Sequence, residues 1–69
     1  MLTKKLFIFK IMIGFVDQPK KPATAVTRSI EAFTDFEAYA SCMNMMWNAL
    51  DLEKHFIKSI ELYETFTCN

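Results

Sequence analysis

The sequence has little of what phosphate-binding, metal-binding and catalytic sites require. Its 69 residues include one glycine, one histidine and two cysteines, whereas glycine-rich phosphate loops and dinucleotide fingerprints need several glycines. Cys42 and Cys68 have neither a metal-ligand spacing nor a redox spacing, which fits a reducing cytoplasmic compartment and leaves a single bridge between them open. We therefore expect no cofactor and no metal ion.

The histidine and the sulfur-containing side chains are the best material for chemistry. His55 could act as a general acid or base with Glu53, or as the base for Cys42 as a nucleophile. No glycine turn is present to form an oxyanion hole, and we interpret His55 as an exposed turn residue. The methionines beside Cys42 are soft ligands of the kind that copper(I) prefers, yet methionine more often fills cores. Helical spacing places Met43 and Trp47 on the core side and Cys42 away from it. The sequence predicts that the protein is not an enzyme.

The sequence also lacks an excess of charge of either sign. Eight lysine and arginine residues balance eight aspartate and glutamate residues, and a neutral chain lacks the positive charge that favours nucleic-acid binding. The charges are segregated, because residues 1–23 carry a net charge of +4 and residues 24–69 a net charge of −4. The candidate phosphate-binding residues are Lys4, Lys5, Lys20, Lys21 and Arg28. No aromatic residue interleaves the lysines of the loop, so we rank nucleic-acid binding second.

No apolar run is long enough to cross a membrane. The longest, residues 6–16, has eleven residues with Lys10 inside it, whereas a transmembrane helix needs about 20. The lysines before this run and the Ala23-Thr24-Ala25 sequence after it resemble a secretory signal, but charged residues inside the segment do not suit one. We expect a soluble protein that retains this segment.

What the sequence does have is a strongly apolar segment with strand periodicity. Bulky side chains occupy every second position from Phe7 to Phe15, which places them on one face of a strand. The opposite face carries Leu6, Ile8, Lys10, Met12 and Gly14. This second face is apolar enough that we expect it to need a cover from outside the domain.

The next three segments predict a loop, a strand and a helix. Both prolines fall in an exposed loop, and β-branched and hydroxyl side chains after it favour a second strand. Thr34 and Glu37 form a capping box, in which the Glu37 carboxylate accepts from the Thr34 amide. It begins a helix whose predicted core stripe is Phe36, Tyr39, Ala40, Met43, Met46, Trp47 and Leu50. The predicted elements are a strand over 5–16, a loop over 17–23, a strand over 24–33, a helix over 35–50 and a strand or helix over 54–66.

The last of these segments fits two structures. A strand would align the apolar residues of one parity, which are Phe56, Ile60, Leu62 and Phe66. A helix with Asp51 as its N-cap would align Phe56, Ile60 and Tyr63 instead. We favour the strand, which makes residues 1–69 a single α+β domain with a three-stranded antiparallel sheet, in the order strand, strand, helix, strand, covered by one amphipathic helix. The alternative is an N-terminal strand followed by two or three helices, as in ribbon-helix-helix dimers.

The function that these features favour is the binding of another protein. Small size, an apolar strand and segregated charge are typical of a non-catalytic interaction module, such as a small inhibitor (for example a phage anti-defence protein), an adaptor or a small subunit of a larger complex. Strand pairing at a sheet edge would also allow a homodimer. The candidate partner-binding residues are Leu6, Ile8, Lys10, Met12, Glu31, Asp35 and Glu37. The alternative function is a small nucleic-acid-binding regulator that acts as a dimer.

Overall fold

The chain folds as the favoured arrangement of three strands and one helix. The computed structural model describes residues 3–18 and 20–67. Its elements are β1 (Lys5–Phe15), β2 (Thr24–Ala32), α1 (Asp35–Ala49) and β3 (His55–Thr67), so every predicted boundary is within one residue of the observed one. The helical alternative for the last segment is wrong, because that segment pairs with β1 along its length. The disulfide bridge that the sequence leaves open between Cys42 and Cys68 involves Cys68, which lies outside the described residues.

The sheet places the most apolar strand in its centre. The strand order is β2-β1-β3, and both neighbours run antiparallel to β1. A central strand has a hydrogen-bonded neighbour on each edge, and the side chains of both neighbours partly bury its two faces. This position suits a strand whose two faces are both largely apolar. The pairing of β1 with β2 is regular from Lys5 opposite Ala32 to Ile13 opposite Thr24.

The pairing of β1 with β3 contains two irregularities. The register shifts between Ile8 and Phe9 and again between Met12 and Ile13, so that Tyr63 and Lys58 have no register partner on β1. An extra residue in one strand reverses the alternation of faces beyond it. The four apolar residues of β3 that the sequence places on one parity are consequently divided between two faces. Ile60 and Leu62 lie opposite the buried residues of β1, whereas Phe56 and Phe66 lie on the other side.

The helix begins at the predicted cap. Thr34 has extended backbone geometry, and its Oγ1 accepts a hydrogen bond from the Glu37 amide at 3.1 Å. The reciprocal bond differs from the prediction, because Glu37 Oε1 accepts from the Phe33 amide at 3.4 Å rather than from the Thr34 amide. Asp35 adds a bond from the Phe36 amide to its own Oδ1 at 2.9 Å. Both acidic groups lie where the helix dipole is positive.

The core lies between one face of the sheet and one face of the helix. It consists of Phe7, Phe9, Ile11, Ile13, Ile30, Ala32, Ala38, Cys42 and Met46. The predicted helix stripe is therefore wrong except for Met46 and the half-buried Leu50, and Cys42 is in the core rather than away from it. The physical reason is volume: the sheet already contributes large side chains, so α1 packs through a narrow face made of the small Ala38 and Cys42 and the flexible Met46, while Phe36 and Trp47 stay outside.

The helix covers only part of the sheet. It packs over β2 and β1 and makes few contacts with β3. The described chain is also elongated, with principal extents of 47 × 19 × 14 Å and a Cα radius of gyration of 13.5 Å. A compact domain of this length has a radius of gyration of about 11 Å. An elongated chain has more surface for its volume, which leaves large apolar side chains exposed.

Candidate functional site

The face of the sheet opposite the helix carries the predicted apolar row. We call it the open face, and it comprises the even-numbered residues of β1 from Leu6 to Gly14 with their register partners on β2 and β3. No element among the described residues packs over it. Leu6, Ile8 and Met12 are half-buried there by side chains of the neighbouring strands, and Lys10 is exposed.

An aromatic side chain covers the glycine at one end of the open face. Gly14 lies opposite Phe56 in the register, and a Cβ atom added at Gly14 would run into the Phe56 ring. The ring therefore packs directly on the backbone of β1, which only glycine allows. Phe56 nevertheless remains exposed on its outer side.

A shallow groove of about 510 Å³ crosses the middle of the open face. One of the two irregularities of β3 shapes it, because Tyr63 has no register partner and lines the groove together with its neighbour Glu64. Bulges of this kind commonly redirect a side chain. The groove is lined by Ile8, Lys10, Ala25, Thr27, Tyr63, Glu64 and Phe66.

The structure brings together five of the seven predicted partner-binding residues. Leu6, Ile8, Lys10 and Met12 form the centre of the open face, and Glu31 lies opposite Leu6 in the register. The Glu31 carboxylate is 3.5 Å from the Lys4 ammonium in an exposed ion pair. The other two residues, Asp35 and Glu37, belong to the start of α1, where their carboxylates accept backbone hydrogen bonds. The helix packs on the other side of the sheet, so these two residues lie apart from the open face.

A second apolar surface, which we call the helix seam, lies on the outside of α1. It consists of Phe36, Ala40, Met43 and Trp47, and their exposed fractions include 82% for Phe36, 57% for Trp47 and 46% for Met43. The spacing of four, three and four residues aligns them on one side of the helix. Ala40, Met43 and Trp47 line a second shallow groove with Asn44. The helical spacing of these apolar residues is visible in the sequence, but that spacing predicted that they pack in the core.

The candidate phosphate-binding residues do not form one patch. Lys4 and Lys5 lie at the start of β1, whereas Lys20 and Lys21 lie in the loop after its end, and a strand of this length spans about 35 Å. The Lys21 ammonium lies 4.2 Å from the centre of the Phe15 ring, a favourable cation–π contact. Arg28 is in the middle of β2, opposite Phe9, on the helix side of the sheet.

The residues considered for catalysis are held by structural contacts. His55 is half-buried rather than exposed, because its ring packs 5.1 Å from the Phe15 ring at the start of β3. Its buried Nδ1 has no hydrogen-bond partner among the described residues. Cys42 is fully buried; burial raises the pKa of its thiol above 9.0, and the nearby Arg28 charge lowers that pKa in part. A protonated thiol inside a core is a poor nucleophile.

Comparison with known proteins does not assign the chain to a family: no family model, curated protein or solved structure matches it. Within residues 3–18 and 20–67, no three histidine, cysteine, aspartate or glutamate side chains are grouped to hold a metal ion. No helix in the described part of the chain combines the length and apolar character needed to cross a bilayer. The surfaces described above are therefore the basis for a functional interpretation.

Proposed function

We propose that the protein acts without catalysis, by binding another protein through the open face of its sheet. The observation that supports this proposal is the row of Leu6, Ile8 and Met12 on the central strand, which no described element of the chain covers. A sheet face of this kind is usually packed against another layer. A partner protein would supply the missing layer.

The charges around the groove indicate the chemistry of the partner. Glu31 is already paired with Lys4, and Lys10 lies opposite Glu61 in the register. Glu64 lines the groove beside Ile8, and among the described residues it has no ion-pair partner. We infer that the partner places an apolar side chain in the groove and a lysine or arginine near Glu64, since opposite charges across an interface favour association.

The class of interaction protein stays open within this proposal. A small inhibitor, such as a phage anti-defence protein, an adaptor and a small subunit of a larger complex would all use such a surface. A cytoplasmic location is part of the same proposal. A nucleic-acid-binding regulator is the alternative, and the dispersed lysines give it less support than the open face gives protein binding.

The experiment compares three tagged forms of the chain expressed in its native host: wild type, Ile8→Glu and Val16→Glu. Val16 is an exposed apolar residue after the end of β1, so its substitution by glutamate is a control for adding a negative charge at an apolar position beyond the groove. Each form is purified at low and high salt and measured by light scattering after size exclusion, with mass spectrometry of any complex. We expect a protein partner that persists in high salt, binds wild type and Val16→Glu, and is lost at least tenfold with Ile8→Glu.

Two results would contradict the proposal. Circular dichroism and urea unfolding report folding separately, and if Ile8→Glu unfolds the protein as much as it weakens binding, Ile8 is core. If the only co-purifying species is rich in absorbance at 260 nm and disappears in high salt, the nucleic-acid alternative is correct.

Charge reversal by Glu64→Lys tests the chemistry of the partner. Because Glu64 is exposed, this substitution should weaken the same complex while the protein stays folded.

A further inference from the structure

One half of the helix side of the sheet has no helix over it. Because α1 packs over β2 and β1, the inward-facing residues Ile57, Ile60 and Leu62 of β3 are only partly buried. A groove of about 520 Å³ opens beside the start of α1, with Leu62 of β3 on one wall and Asp35 of the helix on the other. The apolar side of β3 is thus accessible from the helix side.

The helix seam lies on the β3 side of α1, turned away from the sheet. Going around α1, Tyr39 lies between the core face and the seam. Its ring packs edge-on against Phe9 of β1, with 4.8 Å between ring centres. Since α1 lies mainly over β2, the direction from its core face through Tyr39 to the seam is the direction from β2 toward β3. At 3.6 residues per turn, the seam is about 130° around the helix from the core face.

The chemistry of the seam indicates a neutral apolar partner. Residues 38–50 contain no charged side chain, although an exposed helix face is normally polar or charged. The exposed portions of Phe36 and Trp47 in the seam and of the neighbouring Tyr39 together amount to about 400 Å² of largely apolar surface. A standard interface buries about 800 Å² on each partner, so these three side chains supply about half of that area, and Met43 of the seam and the uncovered side of β3 add to it.

The uncovered space is one helix wide. Neighbouring strands lie about 4.8 Å apart, and packed helices lie about 8–10 Å apart, so a second helix beside α1 would lie over β3. A second copy of α1 has the required neutral apolar face and the required length. The net charge of the whole chain is zero, so two copies do not repel each other through an overall charge.

We propose that the protein forms a symmetric homodimer in which α1 of each copy fills the uncovered half of the other copy's sheet. The two helices lie side by side between the two sheets and are related by a twofold axis, so every contact between one residue of a copy and a second residue of its partner occurs twice, with the two residues exchanged. A seam directly opposite the core face would touch only the partner's sheet, and one at a right angle would touch only the partner's helix. At about 130° the seam contacts both. The open faces remain on the outside, so this dimer is independent of the proposed function.

The test compares Met43→Lys with Met45→Lys. Both are exposed helical methionines, with exposed fractions of 46% and 37%, but Met43 belongs to the seam and Met45 faces away from it. Sedimentation equilibrium from about 1 to 300 µM should give a dimer for wild type and Met45→Lys. Met43→Lys should remain monomeric, or dimerise at least tenfold more weakly, because the dimer would bury its ammonium group. Circular dichroism checks that both variants keep their secondary structure.

The single tryptophan of the chain reports where the copies meet. Trp47 belongs to the seam, so its emission maximum should move to shorter wavelength as the wild-type concentration passes through the dimer dissociation constant. A wild-type monomer at 300 µM would overturn the proposal. A dimer with no change in Trp47 emission would also overturn it, because the copies would then meet at another surface, such as a sheet edge. Equal weakening by both lysine substitutions would show that the effect is not specific to the seam.

Discussion

Single residues in this protein are placed by volume more than by polarity. Cys42 is in the core because the narrow face of α1 packs closely against large side chains of β1, and a small sulfur-containing residue suits that space. Gly14 is on β1 because the Phe56 ring occupies the position of a Cβ atom. Trp47, the largest side chain of the helix, is on the outside.

The burial of Cys42 predicts low thiol reactivity and a loss of stability at alkaline pH. In a Cys68→Ser variant, Cys42 should react with a thiol reagent at least about 100-fold more slowly when folded than in urea. Because burial raises the folded-state pKa of Cys42 above 9.0, the unfolded thiol loses its proton first as the pH rises. The contribution of this group to the free energy of unfolding should therefore be complete at neutral pH, should begin to fall as the pH approaches 9.0, and should keep falling until the folded thiol also ionises.

The control for this prediction is Cys42→Ala in the same Cys68→Ser background. Lysine and tyrosine titration persists in that variant, but the part of the alkaline loss that comes from Cys42 should disappear. Urea unfolding at several pH values measures both proteins. Rapid labelling of Cys42 in the folded protein would show that α1 separates readily from the sheet.

At the scale of the elements, the strands and the helix are arranged by how their faces pair. β1 is apolar on both faces and lies between two strands, whereas the helix covers β2 and β1 and leaves β3 partly open. The two irregularities of β3 divide its aromatic and aliphatic residues between the two faces. They place Phe56 and Phe66 on the open face and Ile60 in contact with the core.

The contact between Phe56 and Gly14 predicts a measurable coupling between β3 and β1. Gly14→Ala should destabilise the protein by about 1 kcal/mol, because the new methyl group displaces the Phe56 ring. In a Phe56→Ala background the same substitution should be neutral or stabilising, since alanine loses less backbone entropy than glycine on folding. A double-mutant cycle by urea unfolding measures the difference. Equal effects in both backgrounds would mean that the ring does not pack on Gly14 in solution.

At the scale of the whole molecule, large apolar side chains are exposed on both sides of the sheet, among them Phe36, Trp47 and Phe66. A chain of this size buries only about 60% of its unfolded surface even when it is compact, and this one is elongated. Its two apolar surfaces lie on opposite sides of the sheet, so they can be covered by different partners. In the two proposals made above, a second protein covers the open face and a second copy of the chain covers the helix seam.

Dimer formation through the seam predicts that thermal stability depends on protein concentration. Because unfolding separates the copies, a tenfold increase in wild-type concentration should raise Tm by a few degrees. Met43→Lys should unfold at a lower temperature that does not change with concentration. Differential scanning calorimetry over a tenfold or greater concentration range measures both. A wild-type Tm that is independent of concentration would contradict the dimer.

Local sequence patterns determined the elements of this protein and their order. Period-two alternation predicts β1, Thr34 with Glu37 predicts the start of α1, and the proline-containing loop separates the first two strands. These signals act over a few residues, through backbone geometry, capping bonds and the alternation of strand faces. For the same reason the central part of the open face, from Leu6 to Met12, could be predicted from the sequence.

Only the tertiary structure decided which side of each later element faces the core. The apolar stripe from Phe36 to Trp47 fits a core helix by periodicity, but the large side chains of β1 pack against the narrower face of Ala38, Cys42 and Met46 instead. In β3, two unpaired residues change the parity of the strand, so Phe56 and Ile60 end on opposite faces. Periodicity shows that an apolar face exists, but the face that is buried depends on the volume and register of side chains distant in the chain.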